Sequence, residues 1–287
     1  MNDSTLALTA SQFRLEQKLF WRNRQSAVFN FALPIVFVVL FSLLFQGNGN
    51  VGSSDVPYTA YFVAGMIGVS LLSATFANLA ISLVFQRDLL VLKRMRGTPL
   101  PVSALFGAKI LNSVVIVVIQ VAIILTLGRI AFNTPLPRNP LAFALIIVVG
   151  IVVFAMAGIA FTAFIPNSDS GPAVVQLPFL TLQFISGVFF PFTSEPGFLK
   201  TVANVFPLRW LLDAIRAGYL GFDYFHTKRV VIPAGVGHAA STQQVPASVH
   251  GLHAITASGE AYLVLAVWFV IFVSIARRRF RWEKRAS

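Results

Sequence analysis

Apolar residues run along this chain in blocks too long for the core of a water-soluble domain. A membrane-spanning helix needs about 20 mostly apolar residues, because hydrocarbon offers no partner to free backbone N–H and C=O groups. Six stretches reach or approach that length, at 26–46, 58–85, 102–127, 140–165, 171–192 and 260–276. Pro34 and Pro178 fall inside two of them, which lipid-embedded helices tolerate when neighbouring helices satisfy the freed carbonyl. The pattern predicts an all-α integral membrane protein with one six-helix domain over 26–276.

Three other segments carry different patterns. Residues 195–220 place Phe198, Leu199, Val202, Phe206, Leu208, Trp210, Leu211, Leu212, Ile215 and Tyr219 among charged residues. Too polar to span and too apolar for a solvated loop, this stretch reads as re-entrant or interfacial helices. Residues 221–258, rich in Gly, Ser, Thr and Pro, read as an external loop or small lid of low regularity, which completes an outer region over 195–258. At the other end of the chain, Leu6, Phe13 and Phe20 recur every seven residues, while Arg14, Lys18 and Arg22 recur every four on another face. The segment 1–25 is therefore expected to form an amphipathic helix lying along the membrane surface, with Trp21 at headgroup level.

Composition sharpens this picture. Hydrophobic residues make up 56% of the chain and charged residues 11%, with a mean hydropathy of +0.78, whereas a soluble domain carries roughly 25% charged residues. A soluble enzyme is excluded. The net charge of +12 would suggest nucleic acid in a soluble protein, but here the bases sit beside apolar runs and face lipid headgroups instead. Four lie in the N-terminal arm, five between Arg87 and Lys109, and six in the tail 277–287, while the connection 47–57 has none. Cytoplasmic connections are the ones enriched in Lys and Arg, so both termini are expected in the cytoplasm of a multi-pass plasma-membrane protein. The arm is charged before its first apolar run, so no cleaved signal peptide is expected. Without cysteine there are no disulfides, iron–sulfur clusters or thiolate zinc sites.

The connection after the second span has its own helical pattern. Phe85, Leu89, Leu92 and Met95 share one face, Arg87 and Arg94 lie opposite, and Gly97-Thr98-Pro99-Leu100-Pro101 stops the helix. By spacing alone, it is equally a positive-inside anchor or a short helix that transmits force between two spans. Other chemistry is poorly represented. Gly107-Ala108-Lys109-Ile110 lacks the earlier glycine and the Ser/Thr of a phosphate-binding loop, no Gly-x-Ser-x-Gly elbow occurs, and His226, His238, His250 and His253 lack the partners of a zinc site. No catalytic residue and no metal or other cofactor is assigned to the chain. The spans carry no ionisable group in their central regions, only amides: Asn30, Asn78, Asn112, Gln120, Gln176 and Gln183. Helix–helix hydrogen bonding is the default role for such groups. Gln176 and Gln183, seven apart on one face, are the leading candidates for a substrate path, with Asn78, Asn112 and Gln120 beside them.

The run LVFQRDLLVLKRMRGTPLPVSALFGAKIL resembles the coupling segment of type-2 ATP-binding-cassette (ABC) permeases, where a basic helix ends in a Thr-Pro-Leu-type turn. ISGVFFPFTSEPGFLKTVANVFPLRWLLDAIRAGYLG is similar to the same family's region after the fifth span, and ARRRFRWEKR to its tail. The resemblance implies the membrane subunit of an ATP-driven exporter, paired with a second permease subunit as a homodimer or with a homologue. A cytoplasmic ABC ATPase subunit would bind ATP and Mg and dock on the coupling helix 85–101. The resemblance assigns the coupling role to Arg87, Asp88, Leu89, Leu92, Lys93, Arg94, Arg96, Thr98 and Pro99, while the interfacial helix read from the arm's periodicity is carried by Phe13, Arg14, Lys18, Phe20, Trp21 and Arg22. The 28 phenylalanines favour drugs or lipids as cargo. A polysaccharide exporter of the same architecture, or an ATP-independent channel or intramembrane enzyme, are the alternatives. The segment around Gln86-Arg87-Asp88 departs from the glutamate-centred start of many members, and 221–258 is longer than their usual link.

Overall fold

The computed structural model describes residues 3–44, 56–98, 100–189, 197–232, 241–248 and 253–280. In chain order, α1 (Asp3–Arg22) is followed by α2 (Arg24–Leu44), and then by one continuous helix built of α3 (Tyr58–Leu72), a π-helical turn (Ser73–Ala77) and α4 (Asn78–Asp88). After the short α5 (Val91–Arg96) come α6 (Val102–Phe132), α7 (Pro140–Phe161) with a terminal 3-10 turn (Thr162–Phe164), and α8 (Gly171–Ile185). Then follow α9 (Gly197–Val205), α10 (Pro207–Leu220), the strands β1 (Phe222–Ile232) and β2 (Ser241–Ser248), α11 (His253–Ala257) and α12 (Gly259–Arg279).

The result is an all-α integral membrane protein. Among the described residues, five helices are long and apolar enough to cross a bilayer: α2, the continuous Tyr58–Asp88, α6, α7 and α12. The fifth expected span, α8, is apolar but has 15 residues; at 1.5 Å per residue this is about 22 Å. Proline at the first or second position presets the backbone for α7, α8 and α10, where a missing N–H costs nothing. Gly221, at φ 74°, ends α10 in the left-handed region that suits glycine.

The continuous helix is the centre of the bundle. Every residue of α3 from Ala60 to Leu72 is buried, so no face of it remains for lipid. α2, α6, α7 and α10 pack around it. Approach is closest where side chains vanish. A Cβ on Gly158 of α7 would lie 2.8 Å from the Phe76 carbonyl oxygen in the π turn, and one on Gly218 of α10 would lie 2.8 Å from the Phe143 Cα. Small residues that bring backbones together are the main means of helix association in lipid.

α10 is buried at every residue except Arg209 and Trp210. Its last turn is tied to the start of α7: the Arg138 N–H donates to the Tyr219 carbonyl (3.1 Å) and the Asn139 N–H to the Gly218 carbonyl (3.0 Å). Just before its first turn, Trp268, near the middle of α12, donates through Nε1 to the carbonyl of Val205 at the end of α9, at 3.0 Å. α10 thus runs from the middle of the bundle to the end at which β1 begins. That end is called the hairpin end; the opposite one, holding α1, α5 and the close of α12, is the basic end.

Two expectations need correction. Residues 222–248 are not irregular throughout, since β1 pairs antiparallel with β2, with a register irregularity between Asp223 and Thr227. Residues 85–96 are not one helix either. α4 stops at Asp88, and Leu90 takes φ 57°, a left-handed conformation uncommon for a residue with a side chain, before α5 begins in a new direction.

These contacts predict an asymmetry between two glycines. Gly158→Val should destabilise the protein by about 1–3 kcal/mol through overpacking against the π turn, read by equilibrium unfolding in mixed micelles. Gly259→Ala, whose new methyl meets nothing within 4 Å, should leave the unfolding curve in place.

Candidate functional site

At the basic end, Arg87 and Asp88 turn inward. Arg87 is 4% exposed; its Nη1 donates to the Thr162 carbonyl (3.3 Å), and its Nη2 to the carbonyls of Ile165 (2.9 Å) and Pro166 (3.1 Å). These carbonyls lie at and just past the 3-10 turn that ends α7, where the Thr162 carbonyl also accepts the Ile165 N–H (3.3 Å), and a guanidinium is suited to the negative end of a helix. Asp88 completes the clasp, its Oδ2 accepting the Ser168 N–H at 2.6 Å while Oδ1 lies 3.4 Å from Arg87 Nε. The end of the central helix is thereby fixed to the α7–α8 connection.

The remaining residues of the expected coupling segment divide by exposure. Leu92 is buried, under α4 and the start of α6, whereas Leu89, Lys93, Arg94 and Thr98 are exposed. Arg96 is the last residue of α5, and Thr98 Oγ1 donates to the Met95 carbonyl at 2.6 Å to close that helix. Pro99 lies outside the described residues.

α1 packs along the first turns of α6 with a polar edge, not the heptad stripe. Thr9, Gln12 and Glu16 are buried. Glu16 Oε1 accepts from Lys109 Nζ at 2.8 Å and from Gln12 Nε2 at 3.3 Å. Lys109, counted in the sequence among the headgroup-facing bases, is instead sealed inside. Phe13 and Phe20 are half-buried, while Arg14, Lys18, Trp21 and Arg22 are exposed together with Leu6, Leu8, Leu15 and Leu19. The Trp21 ring stacks on Phe31 of α2, centroids 5.8 Å apart, at the corner between the two helices.

Between α2, the central helix and α8 lies a slot of about 620 Å³. Its walls are Phe29, Leu33, Phe37 and Phe41 from α2, Val69, Ser73, Asn78 and Ile81 from the central helix, and Gln176, Phe179, Leu180, Gln183 and Phe184 from α8. Near the hairpin end it closes on aromatic rings, Phe41 stacking on Phe62 at 4.7 Å and meeting a tilted Phe189 at 5.6 Å. Three of the five amides expected along a substrate path, Asn78, Gln176 and Gln183, meet here. Gln183 is 5% exposed and its Nε2 has no hydrogen-bond acceptor among the described residues. Asn112 lies apart, in a neighbouring cavity of about 530 Å³ between α1, α4 and α6. Gln120 serves as a helix tie, donating to the Asn30 carbonyl (2.9 Å) and Oδ1 (3.0 Å) across α6 and α2.

One cluster was not anticipated. Asp213 and Arg216 of α10 are both buried, Asp213 accepting from Arg216 at 3.1 Å and from Arg209 at 3.4 Å. Arg216 also donates to the Gly187 carbonyl (2.6 Å) and stands over the Tyr61 ring at 3.8 Å, while the Tyr61 hydroxyl donates to that same carbonyl (3.2 Å). A guanidinium over an aromatic face in a dry site is strongly attracted. The charges sit three and four residues apart on one helix, a spacing readable in the sequence; their burial is not.

The two kinds of polar group should respond differently to removal. Arg87→Met takes the guanidinium from Asp88 and from the Ile165 and Pro166 carbonyls and should cost about 3 kcal/mol or more. Gln183→Leu, which sacrifices no protein partner at Nε2, should change stability by less than about 1 kcal/mol. Equilibrium unfolding in mixed micelles distinguishes them; equal losses would refute the assignment of Arg87 as a clasp.

The ABC-2 type transporter family model matches residues 5–220, a range that takes in α1, the central helix, the clasp, the slot and all of α10. The putative transport permease ycf38 of Porphyra purpurea is 28% identical over 227 residues, covering 76% of each chain. That of Pyropia yezoensis is 25% identical over 217 residues, 74% of this chain and 73% of that one. The inner membrane transport permease YadH of Escherichia coli (strain K12) is 24% identical over 204 residues, 66% of this chain and 75% of its own. The chain belongs to the ABC-2 type transporter family, as a multi-pass membrane subunit of a transporter.

Proposed function

We propose that the chain is the permease subunit of an ATP-driven exporter that moves hydrophobic or amphiphilic compounds, drug or lipid, out of the cytoplasm or inner leaflet by alternating access. The observation that carries this reading is the handle at the basic end. α5 leaves the most buried of the spanning helices with Lys93 and Arg94 exposed, and the Arg87–Asp88 clasp joins its root to the α7–α8 connection. A push on α5 would reach the central helix and α8 together, and those are two of the three walls of the slot. Arg87 and Asp88 transmit force in this scheme, while Leu89, Lys93, Arg94, Arg96, Thr98 and Pro99 form the surface that meets the partner.

That partner is a cytoplasmic ABC ATPase subunit that binds ATP and Mg, since this sequence has no phosphate-binding loop of its own. The basic end faces the cytoplasm of a prokaryotic plasma membrane, with both termini there, and the arm carrying Arg14, Lys18 and Arg22 rests on the headgroups. A second permease subunit covers α2 and α8, whose outward residues Val36, Leu40 and Leu177 are exposed. The phenylalanine walls of the slot favour amphiphilic cargo over a polysaccharide, which needs a wider polar lumen.

The Lys93→Glu/Arg94→Glu variant should insert and unfold as the unmodified protein does. Reversing two charges at a protein interface should weaken copurification of the ATPase in mild detergent by about tenfold or more. Its reconstituted ATPase activity should lose stimulation to the same degree. Unchanged stimulation defeats the proposal.

A further inference from the structure

The slot has a neighbour of different character. The cavity of about 530 Å³ lies between α1, α4 and the first turns of α6, at the basic end. Asn78 and Ile81, one turn apart on α4, line both spaces, so the two abut along a single ridge of that helix. Beyond that ridge the slot is walled mainly by Phe and Leu. The basic-end cavity instead gathers Asn23, Ser82, Gln86, Asn112 and Ser113 around the Glu16–Lys109 pair.

Two of these amides have hydrogen-bonding capacity to spare. Asn112 Oδ1 and Gln86 Oε1 are shut off from solvent and accept nothing among the described residues. Turning either amide end for end would exchange an unmet acceptor for an unmet donor, so the capacity persists in both orientations. Buried polar atoms without partners are rare enough to require a reason, and a ligand is one. The charges in the cavity point to the kind of ligand. Glu16 and Lys109 lie 2.8 Å apart with side chains 8% and 1% exposed, and each neutralises the other. An ionic group entering here would find no counter-charge left, and a buried charge without one is costly. A hydroxyl or amide group would find the spare amides.

We propose that this cavity binds the uncharged, hydrogen-bonding head of an amphiphile whose apolar tail occupies the slot, with Asn78 and Ile81 at the junction of head and tail. The proposal rests on the slot being the substrate path. It assigns Asn112 and Gln86 as head-binding residues, and it narrows the cargo from amphiphiles in general to those without ionic heads.

The chain contains no cysteine, so single cysteines report cleanly. Ser82→Cys lies in the basic-end cavity and Ser73→Cys in the slot. The full chain is placed in lipid nanodiscs, and maleimide labelling of each variant is timed with 1-decanoylglycerol, decylammonium or decanoate. These probes share a tail length and differ in head charge. Decanoylglycerol at about ten times its half-protecting concentration should slow both labels roughly tenfold. The charged probes should leave Ser82→Cys labelling within about twofold of its free rate. Adding Asn112→Ser should raise the half-protecting concentration of decanoylglycerol by about fivefold, one hydrogen bond's worth. Protection of Ser82→Cys by decylammonium or decanoate equal to that by decanoylglycerol overturns the choice of head. Protection of Ser73→Cys alone overturns the head site while the slot stands, and protection at neither position removes both.

Discussion

In hydrocarbon, apolar side chains gain nothing by leaving the solvent for one another, so a helix without a lipid-facing side must be held by close van der Waals contact and by polar pairs. The helix Tyr58–Asp88 is in that position over Ala60–Leu72, and the rest of the structure follows from how it is held. Gly158 lets α7 meet the π turn, and Gly65 lets the Val188 carbonyl meet the central helix, at distances that any side chain would forbid. The π turn at Ser73–Ala77 lies where α7 comes closest, with Gly158 against the Phe76 carbonyl. An extra residue in a helical turn displaces the local ladder and is common where a helix has work to do besides spanning. Here it divides a wholly buried half from a half that lines both cavities.

Polar groups fasten this helix near both ends. At the hairpin end Tyr61 holds the Gly187 carbonyl jointly with Arg216; at the basic end Arg87 and Asp88 hold the α7–α8 connection. Each fastening involves a segment next to α8, the first after its last turn and the second before its first. The central helix and α8 are therefore linked above and below the slot they enclose. Glu16 and Lys109 supply a third fastening, which seats α1 against α6. All three pair opposite charges where solvent is scarce; a charge left single there would be far more costly than the pair.

Much of this was legible in the sequence, for a physical reason: lipid enforces helix and length, so apolar runs announce themselves. Span starts at Tyr58, Val102, Pro140 and Gly171 agree with expectation. Ends were less visible. α6 runs on to Phe132 past Arg129, because a helix may project beyond the hydrocarbon. The face shared by Gln176 and Gln183 was readable from their spacing, and Asn78 joins them only through tertiary packing. Gln120, of the same residue type, went to Asn30 instead. Periodicity assumes an unbroken helix, so the left-handed Leu90 escaped it, and with it the separation of inward Arg87 from outward Arg94. The hairpin did leave a sign in Tyr224, Phe225, Thr227, Val230, Val231 and Ile232, residues suited to strands. Composition rich in Gly and Pro around them obscured it.

The brevity of α8 carries one more consequence. At about 22 Å it falls short of a hydrocarbon layer of about 30 Å, and a lone helix of that size would have to thin the bilayer around it. Here the missing depth is supplied by protein. The chain leaves helical form at Ser186, and the carbonyl at Gly187 is met by a guanidinium and a phenol instead of water. The depth of α8 is therefore set from within, and a thicker or thinner membrane will be registered by α2, α6, α7 and α12 while this wall of the slot keeps its place.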